Sequence, residues 1–124
     1  MGIRKFTITV TTASDGSATG YTPYFSGKIE QVRYIKTDFT DGVDFTTTLD
    51  GTGQTVWTES NVNAAVTKAV RMPIAGTDGV ASLFASGGTA VQDKIAVSRD
   101  RVKWVIASGG STHTGALEVI VSDN

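Results

Sequence analysis

The only histidine of the chain, His113, is the first residue whose chemistry needs an explanation. With Ser108 or Ser111 and a carboxylate, it could supply the parts of a hydrolytic triad. The sequence has no Gly-x-Ser-x-Gly elbow, however, and the glycines before His113 indicate a hairpin tip open to water, where preorganisation is poor. We therefore predict an exposed loop histidine, no catalytic residue and no enzyme activity, with a hydrolase centred on His113 as a rival hypothesis.

Four aspartates lie close together near two predicted turns, and calcium prefers several carboxylate oxygens on a flexible loop. They are Asp38, Asp41, Asp44 and Asp50. Their spacing does not match the EF-hand pattern, and Asp is among the commonest residues with which turns begin. One histidine and no cysteine also leave too few residues for the usual zinc sites. The sequence therefore predicts turn-forming aspartates, no metal site and no cofactor.

A basic stripe is the most regular charge pattern of the chain. Arg99, Arg101 and Lys103 share one parity in a stretch whose alternate residues are apolar from position 102 onward. Such a stripe can contact phosphates or an acidic protein surface, or it can be a solvated face. No aromatic residue alternates with these charges on the predicted outer face, which argues against binding of single-stranded nucleic acid. We name these three residues as possible partner contacts.

Aromatic residues offer a second kind of binding chemistry. Tyr21, Tyr24, Phe25 and Trp57 could form a stacking platform for sugars, which would make the chain a carbohydrate-binding module. Aromatic side chains more often pack into a core or along its rim. Packing is the interpretation that we favour, and the sugar platform stays an alternative.

The strands that must position these residues are clearest at the C-terminus. Residues 102–106 and 117–121 both alternate with a period of two around a glycine-rich turn. The apolar faces consist of Val102, Trp104 and Ile106 in the first strand and Leu117, Val119 and Val121 in the second. We predict that the two strands pair as an antiparallel hairpin, with Lys103 opposite Glu118 across it.

Other segments predict further strands and turns. Residues 5–11 alternate as a half-buried strand, and a hairpin closes at residues 50–53. Residues 19–25, around Pro23, predict an edge segment or a loop packed on the rim of the sandwich. A change of parity between Ile29 and Val32 indicates a β-bulge or a strand covered on both faces. Residues 61–74 fit a helix or a strand, and Pro73 and the strand-rich context favour the strand. Residues 81–85 predict one short helical turn.

These signals together define the fold class. The 124 residues, with 11 basic and 12 acidic side chains and no cysteine, suit one domain over residues 1–124. We predict an all-β fold, an antiparallel β-sandwich or small barrel of seven or eight strands with little helix. A net charge of -1 gives no general attraction to nucleic acid, and no apolar run is long enough to span a membrane.

Several segments resemble small virion proteins of tailed bacteriophages, of the capsid decoration or cement type. The resemblance lies in Arg4-Lys5-Phe6-Thr7-Ile8-Thr9-Val10, Gly42-Val43-Asp44-Phe45, Gln54-Thr55-Val56-Trp57, Lys94-Ile95-Ala96-Val97, Arg101-Val102-Lys103 and Ala107-Ser108-Gly109-Gly110. It implies a non-enzymatic protein made in the host bacterial cytoplasm and located in the virion. Its partner would be the major capsid protein, and it would form a homo-oligomer, with a trimer as one option. A tail or head-to-tail connection protein is the structural alternative.

Overall fold

The computed structural model describes residues 2–123, which form eleven β-strands and contain no helix. The all-β prediction is therefore confirmed, and eight strands contain four or more residues. Among the described residues no helix is long and apolar enough to cross a membrane. The strands are β1 (Ile3–Thr11), β2 (Ala18–Tyr21), β3 (Phe25–Ile35), β4 (Val43–Leu49), β5 (Thr55–Val62), β6 (Val66–Lys68), β7 (Met72–Pro73), β8 (Gln92–Asp93), β9 (Ile95–Asp100), β10 (Val102–Ala107) and β11 (Thr114–Ser122).

Two antiparallel sheets enclose the core. In the five-stranded sheet β11 lies between β1 and β3, and the long strand β3 pairs on its other side with both β9 and β6. The four-stranded sheet has the order β2-β10-β4-β5. Within the described part of the chain the short strands β7 and β8 pair only with each other. The predicted edge position of residues 19–25 is confirmed for β2, whereas Phe25 begins β3 and is buried.

The predicted C-terminal hairpin is wrong, because β10 and β11 belong to different sheets. Strand β10 hydrogen-bonds to β2 and β4, and β11 hydrogen-bonds to β1 and β3, so neither has an edge left for the other. The connecting residues 108–113 cross from one layer to the other, a separation of about 10 Å. Lys103 and Glu118 therefore do not face each other. The two apolar trios are buried as predicted, but they contribute to the core from opposite layers.

An aromatic cluster joins the two layers at the centre of the core. The ring centroid of Tyr34, on β3, lies 4.7 Å from that of Phe45, on β4, in an edge-to-face arrangement. Trp104 of β10 lies 5.2 Å from Phe45 and 6.1 Å from Phe39. Such pairs contribute about 0.5–1.5 kcal/mol each beyond the burial of their area. Burial raises the pKa of the Tyr34 phenol to about 12, so that the hydroxyl stays neutral within the core.

Local predictions for turns and bulges have mixed outcomes. The register of β3 against β11 shifts at Glu30, which lets both Ile29 and Val32 face the core, so the bulge is confirmed as the correct one of the two predicted alternatives. The hairpin at residues 50–53 is also confirmed, with Gly53 at a φ of 77°. Residues 61–74 contain strand segments and no helix, as we favoured. The predicted helical turn at residues 81–85 is wrong, because Ala81 and Leu83 lie in isolated β-bridges.

Glycine allows the two sheets to meet closely at one corner of the sandwich. Gly20 of β2 is buried against β1, and a Cβ atom at this position would lie 2.3 Å from Ile8 Cγ2 and 2.6 Å from Val10 Cγ1. Any side chain would therefore push the edge strands apart. This close approach fixes the position of Tyr21, the next residue, at the rim of the four-stranded sheet.

Replacing Thr47 by valine is expected to stabilise the fold. Thr47 is fully buried opposite Trp104, and its hydroxyl has no hydrogen-bond partner among the described residues. A buried hydroxyl without a partner costs about 1–3 kcal/mol, and valine has nearly the same shape. We expect Thr47→Val to raise the free energy of unfolding by about 1 kcal/mol in urea denaturation. Thr46→Val, on the exposed face of the same strand, is the control, and a loss of stability in Thr47→Val would contradict the expectation.

Candidate functional site

The three predicted contact residues do not lie on one strand. Arg99 is near the end of β9 in the five-stranded sheet, Arg101 lies in the turn that follows, and Lys103 belongs to β10 in the four-stranded sheet. Arg99 has a φ of 47°, a left-handed conformation that is uncommon for a residue with a side chain. The regular alternation therefore breaks at Arg99, and the basic residues follow the chain around the rim of the sandwich.

Two tyrosines from another part of the chain lie among these basic residues. Tyr21 is the cross-strand partner of Lys103, so both side chains lie on the outer face of the four-stranded sheet. Arg101 Cζ lies 4.0 Å from the ring centroid of Tyr21 and 5.0 Å from that of Tyr24. We predicted from the sequence that no aromatic residue lies beside the basic residues. This prediction is wrong, because the pairing of β2 with β10 brings Tyr21 and Tyr24 next to Arg101.

Arg101 is held in place by the neighbouring β4–β5 turn. Its Nε donates a hydrogen bond to Asp50 Oδ2 at 3.0 Å, and the backbone N–H of Asp50 donates to the Arg101 carbonyl at 2.9 Å. The hydrogen bond to Asp50 raises the pKa of the Arg101 guanidinium. The hydrogen bond to Asp50 fixes this guanidinium, and the guanidinium in turn holds the two tyrosine rings in position. Tyr21 and Tyr24 are 42% and 63% exposed, so much of each ring is available to a partner.

A surface pocket extends the group to Arg99. Tyr24, Phe25, Ser26 and Arg99 line a cavity of about 540 Å³, and the Arg99 backbone N–H donates to Ser26 Oγ at 2.9 Å. This hydrogen bond helps to hold the left-handed conformation of Arg99. Arg99 and Lys103 form no ion pair with any residue in the range 2–123. We call Tyr21, Tyr24, Arg99, Arg101 and Lys103 the tyrosine–arginine patch.

The cations on the outer face of the five-stranded sheet are differently arranged. Lys5 and Arg33 flank Glu118, at 3.3 Å and 3.0 Å from its carboxylate oxygens. Burial raises the pKa of Glu118, but Arg33 and Lys5 outweigh this effect and leave the pKa below its usual value. The two cations of this group share one carboxylate, whereas Arg99 and Lys103 of the patch have no carboxylate partner in the described part of the chain.

The predicted sugar platform does not assemble as a set of four aromatics. Trp57 is buried and its Nε1 donates to Glu59 Oε1 at 3.1 Å, while Phe25 packs in the core beside Phe6. Core packing is confirmed for these two residues. Only Tyr21 and Tyr24 lie at the surface, and the Arg101 guanidinium already contacts both rings.

His113 lies in the connection between β10 and β11 and pairs with an aspartate. Its Nδ1 is 3.2 Å from Asp38 Oδ2, and its side chain is 36% exposed. Asp38 also accepts a hydrogen bond from the Thr114 backbone N–H, and this bond, followed by the one to His113, lowers the pKa of Asp38. Within residues 2–123 no serine hydroxyl is hydrogen-bonded to the His113 ring, so the nucleophile–base contact of a triad is not formed.

The four clustered aspartates each have a separate partner. Besides Asp38, Asp41 pairs with Lys36, Asp44 accepts the Asn61 backbone N–H, and Asp50 binds Arg101. No group of three or more His, Asp or Glu residues in the described part of the chain could hold a metal ion. Their partners are backbone N–H groups of distant strands, for Asp38 and Asp44, and basic side chains, for Asp41 and Asp50.

Comparison of the chain with protein-family models, with curated proteins and with solved structures finds no match. The tyrosine–arginine patch is therefore the structural feature from which a function can be proposed.

Proposed function

We propose that this chain is a non-enzymatic structural protein of a tailed-phage virion that binds the outside of the capsid as a decoration or cement protein. The observation that carries the proposal is the tyrosine–arginine patch. Tyrosine and arginine are enriched among the residues that dominate protein–protein binding energy, and here they are exposed and already ordered. The resemblance of several strand and turn segments to virion proteins supports the same function.

The chemistry of the patch indicates what it would contact. Arg101 is largely neutralised by Asp50, whereas Arg99 and Lys103 are unpaired cations on either side of the exposed tyrosines. Such a surface is complementary to an acidic protein surface with apolar depressions for the two rings. We propose that the major capsid protein offers this surface. Ordering of Tyr21 and Tyr24 before binding reduces the entropy that docking must overcome.

The test is co-sedimentation of the purified protein with undecorated phage heads. We expect Arg99→Glu/Lys103→Glu to weaken binding at least tenfold, corresponding to about 1.4 kcal/mol, because both reversed charges would face the acidic partner. Lys28→Glu reverses one exposed charge on β3 of the other sheet and should leave binding within about twofold of the unmodified chain.

Three results would count against the proposal. Unmodified protein that does not sediment with heads would exclude capsid decoration, and binding to isolated tails instead would favour the tail or head-to-tail connection alternative. Equal binding by the double variant and the unmodified chain would remove the patch as the docking surface.

A further inference from the structure

A projecting arm formed by residues 72–93 has the composition of a contact surface. It contains β7, β8 and the bridged segments between them, and its strands pair with no other strand of residues 2–123. None of its residues is buried. Asp78 and Asp93 are the charged side chains among these residues, although the whole chain contains 23 charged residues, 11 basic plus 12 acidic. The arm is thus an exposed and nearly uncharged segment in a chain that otherwise carries frequent charges.

Four large apolar side chains of the arm face outward. Phe84 is 75% exposed, and Ile74, Val80 and Leu83 are also exposed, whereas the polar Ser82 is half-buried between the arm's own segments. The Ser82 N–H donates to the Ile74 carbonyl, and the Ser82 carbonyl accepts from the Val91 N–H. An exposed cluster of this kind marks an interaction surface, because burying it would be favourable and the monomer leaves it in water.

A cleft on the same chain has complementary properties. It lies between β9 and the β4–β5 turn, has a volume of about 710 Å³, and is lined by Leu49, Met72, Ile95 and Ala96 together with uncharged polar residues. Its one charged lining residue, Asp100, is already hydrogen-bonded to the Gly51 and Arg101 backbone N–H groups. The apolar tip of the arm, at Leu83 and Phe84, would therefore enter this cleft without leaving the Asp100 carboxylate unpaired.

The edge of β9 adds backbone complementarity. Strand β9 pairs only with β3, so the N–H and C=O groups of its other edge have no strand partner among residues 2–123. Ala96 and Ser98, the exposed side chains beside the cleft, are small, and no lysine or proline protects residues 95–98. An extended segment can add to such an edge by ordinary ladder hydrogen bonds.

We propose that the arm of one copy docks in the cleft of a second copy of this chain, along the free edge of β9. Every copy offers one arm and one cleft, so the contact is head-to-tail and a closed ring uses all of them. Met72, the first residue of the arm, also lines the cleft. The arm and the cleft of each copy therefore lie next to each other. The proposal concerns self-association and does not require the proposed capsid function.

Sedimentation velocity of the full chain and two variants tests this contact. We expect the unmodified protein to sediment as a multiple of 13.0 kDa. Leu83→Ser/Phe84→Ser removes the apolar tip of the arm, and Ala96→Glu places a carboxylate in the cleft. Both variants change exposed positions, so each should fold and sediment at the monomer mass.

A mixture of the two variants tests whether the arm of one copy docks in the cleft of another copy. The arm variant keeps an intact cleft and the cleft variant keeps an intact arm. An equimolar mixture should therefore form dimers that contain one copy of each variant, joined by the one intact arm and the one intact cleft. Tyr24→Ser, which alters an exposed aromatic of the tyrosine–arginine patch, is the control and should assemble like the unmodified chain. Its binding to phage heads should weaken, which separates failure of this proposal from failure of the proposed function.

The proposal is overturned if the unmodified chain sediments as a monomer at every concentration up to its solubility limit. It is also overturned if the arm variant assembles like the unmodified chain, or if the mixture of the two variants stays monomeric.

Discussion

Trp104→Ala is expected to lower the free energy of unfolding by about 3–5 kcal/mol, the usual cost of removing a large aromatic side chain from a packed core. Trp104 is completely buried, and its ring contacts Tyr34 and Phe39 in addition to Phe45, so truncation leaves a cavity between the two sheets. Domains of this size are stabilised by only about 5–15 kcal/mol in total, so the variant would lose a large part of its stability.

Urea denaturation provides the measurement, because Trp57 remains as a fluorescent reporter in the variant. Val105→Ala is a matched control on the same strand, since Val105 lies on the half-buried outer face between Thr19 and Thr46. We expect this control to change the free energy of unfolding by less than about 1 kcal/mol. Equal effects of the two substitutions would contradict the assignment of Trp104 to the centre of the core.

The strands and their inward faces could be predicted because alternation is a local property of the sequence. Phe45 and Leu49 face the core because apolar residues alternate with a period of two along β4, between two Asp-Gly turns. The change of parity between Ile29 and Val32 indicated a bulge as one of two alternatives, and the extra residue Glu30 lets both side chains face the core. In both cases a few neighbouring residues contain all the information needed.

The pairing of β10 and β11 could not be predicted from the same signal. An alternating strand presents one apolar face to the core whether its successor lies beside it or in the opposite sheet. The decision depends on residues distant in sequence. Gly109 donates to the Gly16 carbonyl and accepts from Thr40, and these contacts direct the connection across the core instead of into a tight turn. No pattern within residues 101–123 reports them.

Only the basic residues of the tyrosine–arginine patch could be predicted from the sequence, for a similar reason. Arg99, Arg101 and Lys103 are neighbours in the chain, but Tyr21 and Tyr24 reach them only through the pairing of β2 with β10. The edge position of Pro23 was the one available signal that these tyrosines would lie at a rim. The arm had a clearer signal, the loss of charged residues between 72 and 92, which a search for secondary structure alone does not use.

Asp100→Ala is expected to cost about 2–4 kcal/mol at neutral pH, because it leaves two backbone N–H groups without their acceptor. The buried carboxylate accepts from Gly51 at 2.9 Å and from Arg101 at 2.8 Å, and so ties the β9–β10 turn to the β4–β5 turn. A Cβ atom on residue 51 would lie 2.9 Å from Asp100 Oδ2, so glycine permits this approach. Asp41→Ala removes an exposed ion-paired carboxylate and should cost no more than about 1 kcal/mol in urea denaturation.

The loss of unfolding free energy caused by Asp100→Ala should become smaller as the pH falls below about 5. The hydrogen bond from the Arg101 N–H, followed by that from Gly51, lowers the pKa of Asp100 in the folded state. The unfolded chain has a pKa of about 3.9 at this residue. The ionised carboxylate therefore contributes its full stabilisation above about pH 4 and loses it as the pH falls through the lower folded-state pKa. The difference in unfolding free energy between the unmodified chain and Asp100→Ala should stay constant from pH 7 to about pH 5 and shrink in more acidic solution. A difference that grows with acidity would show that the hydrogen bonds do not favour the ionised carboxylate.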